Sequence, residues 1–202
     1  MIHKHSQKVT DVGIDLDGVV YPFYKAFRKF CQSTMGDGNY PDPTEWDFYQ
    51  DWGIGQSQFS KMIKDGATTH SLFASEKPMS GVNEAWELLK KADVRIHVVT
   101  ARPSTAWAQT AEWLQRNELH ADHLHFTHDK TIILHGSIGH TAMIDDHVDF
   151  YNEAKNAGML ACLHTQPWNI WLENANRVES LLEFATLITN VNNKWKDTYV
   201  YN

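Results

Sequence analysis

Cysteine is scarce in this chain: Cys31 and Cys162 are its two thiols among 202 residues. Two are too few for the disulfide framework of a small secreted domain, and without a CxxC pair there is no zinc or redox signature. Both read as buried thiols. Positive charge is also short, with 18 Lys and Arg against 25 Asp and Glu and a formal net charge of -7. That balance argues against tracking a nucleic-acid backbone, which needs concentrated Lys and Arg. A small anionic substrate stays open if a cation is supplied locally. No apolar run approaches the length needed to span a bilayer, so no membrane partner is expected. The opening segment "MIHKHSQKVT" lacks the apolar middle of a secretory signal, and the expected location is cytoplasmic.

What is present is ordinary globular composition, 42% hydrophobic and 21% charged, enough for one substantial core and a small appended subdomain. "KVTDVGIDLD" turns from alternating to apolar, as a strand inside an α/β sheet does. "DVRIHVVT" (93–100), "HTAMIDD" (140–146) and "GMLACLH" (158–164) repeat the pattern. Helical patterns lie between and after them, at 80–92, 104–119, 149–158 and 177–191. Alternating strand and helix predicts an α/β fold, a Rossmann-like three-layer sandwich around a parallel sheet. Residues 21–77 break the rhythm with two helical patterns around a turn-rich stretch, and read as a small helical cap inserted after the first strand. The expected division is a core of 1–20 and 78–191, the cap of 21–77 and a loosely held polar tail of 192–202.

Chemistry concentrates at predicted strand ends. Asp15 and Asp17 in "GIDLDGVVYPF" share one face of an extended segment while Leu16 points to the core. Thr100 and the pair Asp145 and Asp146 close two other strands on the same rim, where parallel sheets bind ligands. Several carboxylates in a small, dry volume either take up protons or hold a cation, and a hard, oxygen-seeking ion such as Mg²⁺ resolves the repulsion. A plainer alternative, aspartates that merely cap neighbouring loops, suits the first pair alone. It does not account for the second pair.

These residues carry a resemblance. "DLDGVVY", "VVTAR", Lys130 in "THDKT" and "MIDDH" are similar, in order and spacing, to the four motifs of the haloacid dehalogenase-like hydrolase superfamily. The "DKT" to "IDD" succession, the helical insertion and the Pro-Trp-Asn of "HTQPWN" resemble its 5'(3')-deoxyribonucleotidase-like branch. The resemblance implies an aspartyl-phosphate mechanism. Asp15 would be the nucleophile and Asp17 the general acid and base, while Thr100 and Lys130 would stabilise the phosphoryl group. Mg²⁺ would be held by Asp15, Asp145 and the backbone carbonyl of Asp17, with Asp146 supporting its waters. Gly18 would let the backbone approach the phosphoryl group. Ala101 and Arg102 depart from the branch, which often has Thr-Ser at the second motif; Arg102 either replaces the missing hydroxyl or points elsewhere. A solvated surface position is the alternative for Lys130, and the apolar segment "TIILHGSIGH" after it is longer than the branch leads one to expect.

The cap must then choose the substrate. Phe23 and Phe73 match aromatic positions of the nucleotidase base pocket, and Trp46, Phe48 and Tyr49 could also stack on a base or simply fill the cap. Trp86, Trp107 and Trp113 lie in helical patterns and read as core. The twelve histidines, including those of "HADHLHFTH", match no zinc spacing. The expected activity is a Mg²⁺-dependent phosphomonoesterase for nucleoside (deoxy)monophosphates, with a small phosphorylated substrate as partner and a homodimer allowed. A polynucleotide 3'-phosphatase is the alternative within the same chemistry; a non-catalytic phosphate-binding module is the alternative outside it.

Overall fold

The computed structural model describes residues 8–134 and 140–199. Its strands are β1 (Asp11–Ile14), β2 (Arg95–Thr100), β3 (His123–Phe126), β4 (Thr141–Asp145), β5 (Leu160–His164) and β6 (Arg177–Val178). They form one parallel sheet in the order β3-β2-β1-β4-β5-β6. The chain builds outward from β1 to β2 and β3, then returns to lay β4 on the other side of β1. The switch between β1 and β4 opens a crevice at their carboxyl ends. Ile14 is in register with Val98 on one side and Ile144 on the other, so Asp15, Val99 and Asp145 follow at one level.

The helices are α1 (Phe23–Met35), α2 (Gln56–Thr68), α3 (Val82–Lys91), α4 (Trp107–Arg116), α5 (Val148–Asn156) and α6 (Leu181–Tyr199). Alternate residues of each strand feed opposite layers. Val12, Ile14, Ile96, Val98 and Ile144 join a core with Trp86, Trp113 and Phe184, while Val99, Met143, Ala161 and Leu163 pack with Tyr151 and Ala154 of α5. Every residue of β1, β4 and β5 is buried, which is why these strands read as apolar runs rather than alternating ones. Between β1 and α3, α1 and α2 close on a ring cluster. Phe27 stacks on Trp52 at 5.9 Å, and Tyr49 on Phe59 at 4.1 Å.

Three sequence-based expectations differ from the structure. Residues 177 and 178 form β6 and the last helix starts at Leu181; two residues carry too little pattern to be read as a strand. The segment after Asn192, expected to be loose, continues as α6 to Tyr199. Asn192 holds it, its side chain accepting from Val9 N at 2.8 Å and donating to Val9 O at 2.9 Å. Trp107, expected in the core, opens α4 on its outer side and is 57% exposed. Lys130, for which a surface position was an alternative, is fully buried. In "TIILHGSIGH", Lys130–Leu134 forms a 3-10 turn, and residues 135–139 lie outside the described residues.

Candidate active site

The crevice beyond β1 and β4 collects Asp15, Asp145 and Asp146, all buried, with one oxygen from each lying within 4.8 Å of the others. Lys130 enters from the β3 side. Its Nζ donates to Asp15 Oδ1 at 2.5 Å and to Val99 O at 2.7 Å, and stands 3.1 Å from Asp145 Oδ2. A local turn aims it inward. Asp129 Oδ1 accepts from Thr131 N at 2.9 Å and Thr131 Oγ1 at 2.6 Å, and Thr127 Oγ1 accepts from Asp129 N at 3.0 Å. Such aspartate and threonine turns let the side chains fix the backbone. The ring of Phe150 closes over the ammonium at 4.8 Å.

The balance of charge is unfavourable. Burial, with the charges of Asp145 and Asp17 beside it, lifts Asp15 to about 7 in spite of Lys130. Asp146 is raised well above the carboxylate range by burial and by Asp145 and Asp15. Burial works against the Lys130 ammonium, but the Asp145 and Asp15 carboxylates outweigh it and hold its pKa above the ordinary lysine value. Asp145 Oδ2 is buried without a hydrogen-bond donor, the Lys130 contact being ionic but not of hydrogen-bond geometry. A buried carboxylate oxygen whose near partner is the Lys130 ammonium, facing two further buried carboxylates that share this one lysine, belongs to a donor set suited to a hard divalent cation.

Gly18 shapes the floor. At a φ of 87° it turns the chain back after Asp17, and a Cβ there would lie 2.0 Å from Asp146 Oδ2. The absent side chain is the space that Asp146 occupies. The Gly18 carbonyl accepts from His164 Nδ1 and Gln166 Nε2, each at 2.7 Å. Asn169 is buried and donates to Asp146 O at 2.9 Å and His164 O at 2.8 Å. His164, Gln166 and Asn169 were missed as site residues by sequence reasoning, although "HTQPWN" contains all three. Thr100 is buried at the end of β2, and its Oγ1 accepts from Arg102 N at 3.2 Å.

Asp17 is not in the carboxylate cluster. Its two oxygens accept from Arg102 Nε and Nη2, each at 2.8 Å. The crevice above is a cavity of about 200 Å³ reached by Asp15, Asp17, Phe23, Phe73, Ala101 and Arg102. An adjoining apolar cavity of about 110 Å³ shares Phe23 and Trp46 with it and is lined further by Phe48, Tyr49 and Trp168. Phe23 stacks between Phe27 and Phe73, at 5.7 and 6.0 Å.

Comparison with known proteins decides the family. The sequence profile described as "5' nucleotidase, deoxy (Pyrimidine), cytosolic type C protein" matches residues 8–195. The chain belongs to this nucleotidase family. A relative from Chlorobaculum tepidum named "Putative 5'(3')-deoxyribonucleotidase" is 26% identical over 157 residues, 73% of this chain and 75% of the relative. Among solved structures, a HAD-superfamily hydrolase of subfamily IA from Geobacter sulfurreducens superposes with a TM-score of 0.62 at 16% identity, covering 89% of this chain and 96% of that one. YfnB from Bacillus subtilis, described as bound to magnesium, superposes with a TM-score of 0.61 at 12% identity, covering 90% and 99%. The nucleotidase family is thus seen here on the haloacid dehalogenase-like fold, and the protein is a phosphatase of nucleotidase type. No helix among the described residues is long and apolar enough to cross a membrane.

Proposed function

We propose that this member of the nucleotidase family hydrolyses nucleoside (deoxy)monophosphates with Mg²⁺ through an aspartyl-phosphate. The reading rests above all on one observation: a buried aspartate at the tip of the central strand, paired with a buried lysine and facing two further buried carboxylates. Asp15, Asp145 and the Asp17 backbone carbonyl would hold the ion, with Asp146 beside them. When bound, Mg²⁺ supplies the positive charge that lets an anionic nucleophile and an anionic phosphate approach.

The chain's own groups account for the remaining steps. An Asp15 carboxylate oxygen forms a bond to phosphorus while the bond from phosphorus to the ester oxygen breaks. Lys130 balances charge on Asp15 and on the phosphoryl oxygens, and the Thr100 hydroxyl, which accepts from Arg102 N, keeps its own proton to donate. Asp17 gives a proton to the departing ester oxygen. It then takes one from the water that attacks the phosphorus and frees Asp15. Phe23, half-buried and lining both cavities, presents apolar ring surface to a base, with Phe73 buried behind it at 6.0 Å; stacking of this kind is worth about 1–3 kcal/mol per base.

The decisive experiment is phosphate release from deoxynucleoside monophosphates by the Asp15→Asn variant in the presence of Mg²⁺. Replacing the nucleophile should lower turnover by about a thousandfold or more, with an unchanged circular dichroism spectrum. Activity within tenfold of the parent protein would remove Asp15 from the chemistry.

A further inference from the structure

Arg102 offers a choice the second motif left open, between gripping the phosphate and serving another residue. Its guanidinium is almost wholly spent inside the protein. Nε and Nη2 form a fork on the two oxygens of Asp17, and Nη1 donates to Phe73 O at 3.3 Å and Thr110 Oγ1 at 3.0 Å. Four of its five N–H donors are therefore engaged. The cation lies between two rings, 4.8 Å from the centre of Tyr21 and 4.7 Å from that of Phe73.

The cage is itself braced. Tyr21 Oη donates to Leu72 O at 2.5 Å, and its ring meets Trp113 edge-on at 5.1 Å. Thr110 and Trp113 are buried on α4. Arg102 is thus a rigid strut between α4, the Phe73 backbone and Asp17. The Arg102 side chain is fully buried, whereas that of Asp17 is 25% exposed toward the cavity. A guanidinium in this arrangement has no second fork to offer an incoming phosphate.

We propose that Arg102 is the positioning residue of Asp17, holding its carboxylate edge-on so that proton exchange with the leaving oxygen and the attacking water occurs at a fixed place. This rests on the reading of Asp17 as the general acid and base. The fork takes one lone pair from each Asp17 oxygen; the second lone pair of each stays available for the proton that moves. Losing the fork frees the carboxylate to rotate, and misplacement of a proton donor by about 1 Å is enough to slow a reaction about a hundredfold.

Leaving-group dependence separates this role from phosphate binding. An aryl phosphate with an acidic leaving group, such as p-nitrophenyl phosphate, departs without a proton; a nucleoside or alkyl phosphate does not. For Arg102→Met, kcat/KM, which reports events up to release of the alcohol, is expected to fall about a hundredfold or more on alkyl and nucleoside phosphates. On p-nitrophenyl phosphate it should stay within about fivefold, and inhibition by inorganic phosphate within about twofold. Arg102→Lys, which keeps one donor for Asp17, should recover part of the selective loss. Equal losses on both substrate types, with weakened phosphate inhibition, would make Arg102 a phosphate ligand and overturn the proposal. Should Arg102→Met fail to fold, Thr110→Val loosens the fork without removing it. It should reproduce the selective loss at a smaller factor, and a uniform loss would overturn the proposal equally. The Asp15→Asn variant tests the nucleophile independently, so failure of the covalent mechanism and failure of the Arg102 assignment give different results.

Discussion

Replacing Gly18 with alanine tests how the site is built. Gly18 sits at a φ of 87°, where an L-residue pays about 1–2 kcal/mol. The new Cβ would stand 2.0 Å from Asp146 Oδ2 and 2.7 Å from its Cγ. Relief requires a displacement of about 1.4 Å to reach ordinary contact near 3.4 Å. The backbone cannot easily yield, because the Gly18 carbonyl is tied to His164 and Gln166 and its N–H donates to Tyr21 O at 2.9 Å. The Asp146 carboxylate must move instead, by more than a hydrogen bond to the ion's waters tolerates. Two consequences should be measurable. Backbone strain and repacking together should cost about 2–4 kcal/mol, lowering the melting temperature by roughly 5–15 °C for a chain of this size. Mg²⁺ affinity by titration calorimetry should weaken about 10–100-fold, as when a supporting partner of a metal site is lost. A Gly18→Ala protein with a melting temperature within 1 °C of the parent and undiminished Mg²⁺ affinity would refute both the packing of Asp146 over Gly18 and its place at the ion.

The ion should also reshape the pH dependence of stability. Because Asp15 is raised from 3.8 to about 7 in the folded, metal-free protein, folding binds a proton between those values, and stability should decline by a few kcal/mol as pH rises through that window. Mg²⁺ should offset the loss, so its stabilisation in thermal melts is expected to be larger at pH 7.5 than at pH 5; equal shifts would count against the ion meeting Asp15. At the far end of the chain, Asn192→Ala leaves Val9 N and O without their partner. It should cost about 2–4 kcal/mol in urea denaturation, and a loss below 0.5 kcal/mol would show that the clasp does not hold α6.

Much of the architecture was legible because its signals are local. The apolar runs that end at Asp15, Thr100 and Asp145 mark strands covered on both faces, and their polar final residues mark the rim where a parallel sheet binds ligands. The motif order around Lys130 placed it with the carboxylates, as the 2.5 Å contact with Asp15 shows. Short or exposed features were not legible. β6 has two residues, and Trp107 shares a helical apolar pattern whose outward face only packing could assign.

The order of residues by itself determined which carboxylates stand at strand ends and which segments must be buried, since both follow from periodicity and from side chains a few positions apart. Only the tertiary structure decided what those groups do to one another. Arg102 reaches Asp17 across 85 positions, and Asp146 fills the space that a side chain at Gly18 would need. Such pairings depend on how layers distant in sequence come into contact, and no local pattern encodes which long side chain will arrive at which carboxylate.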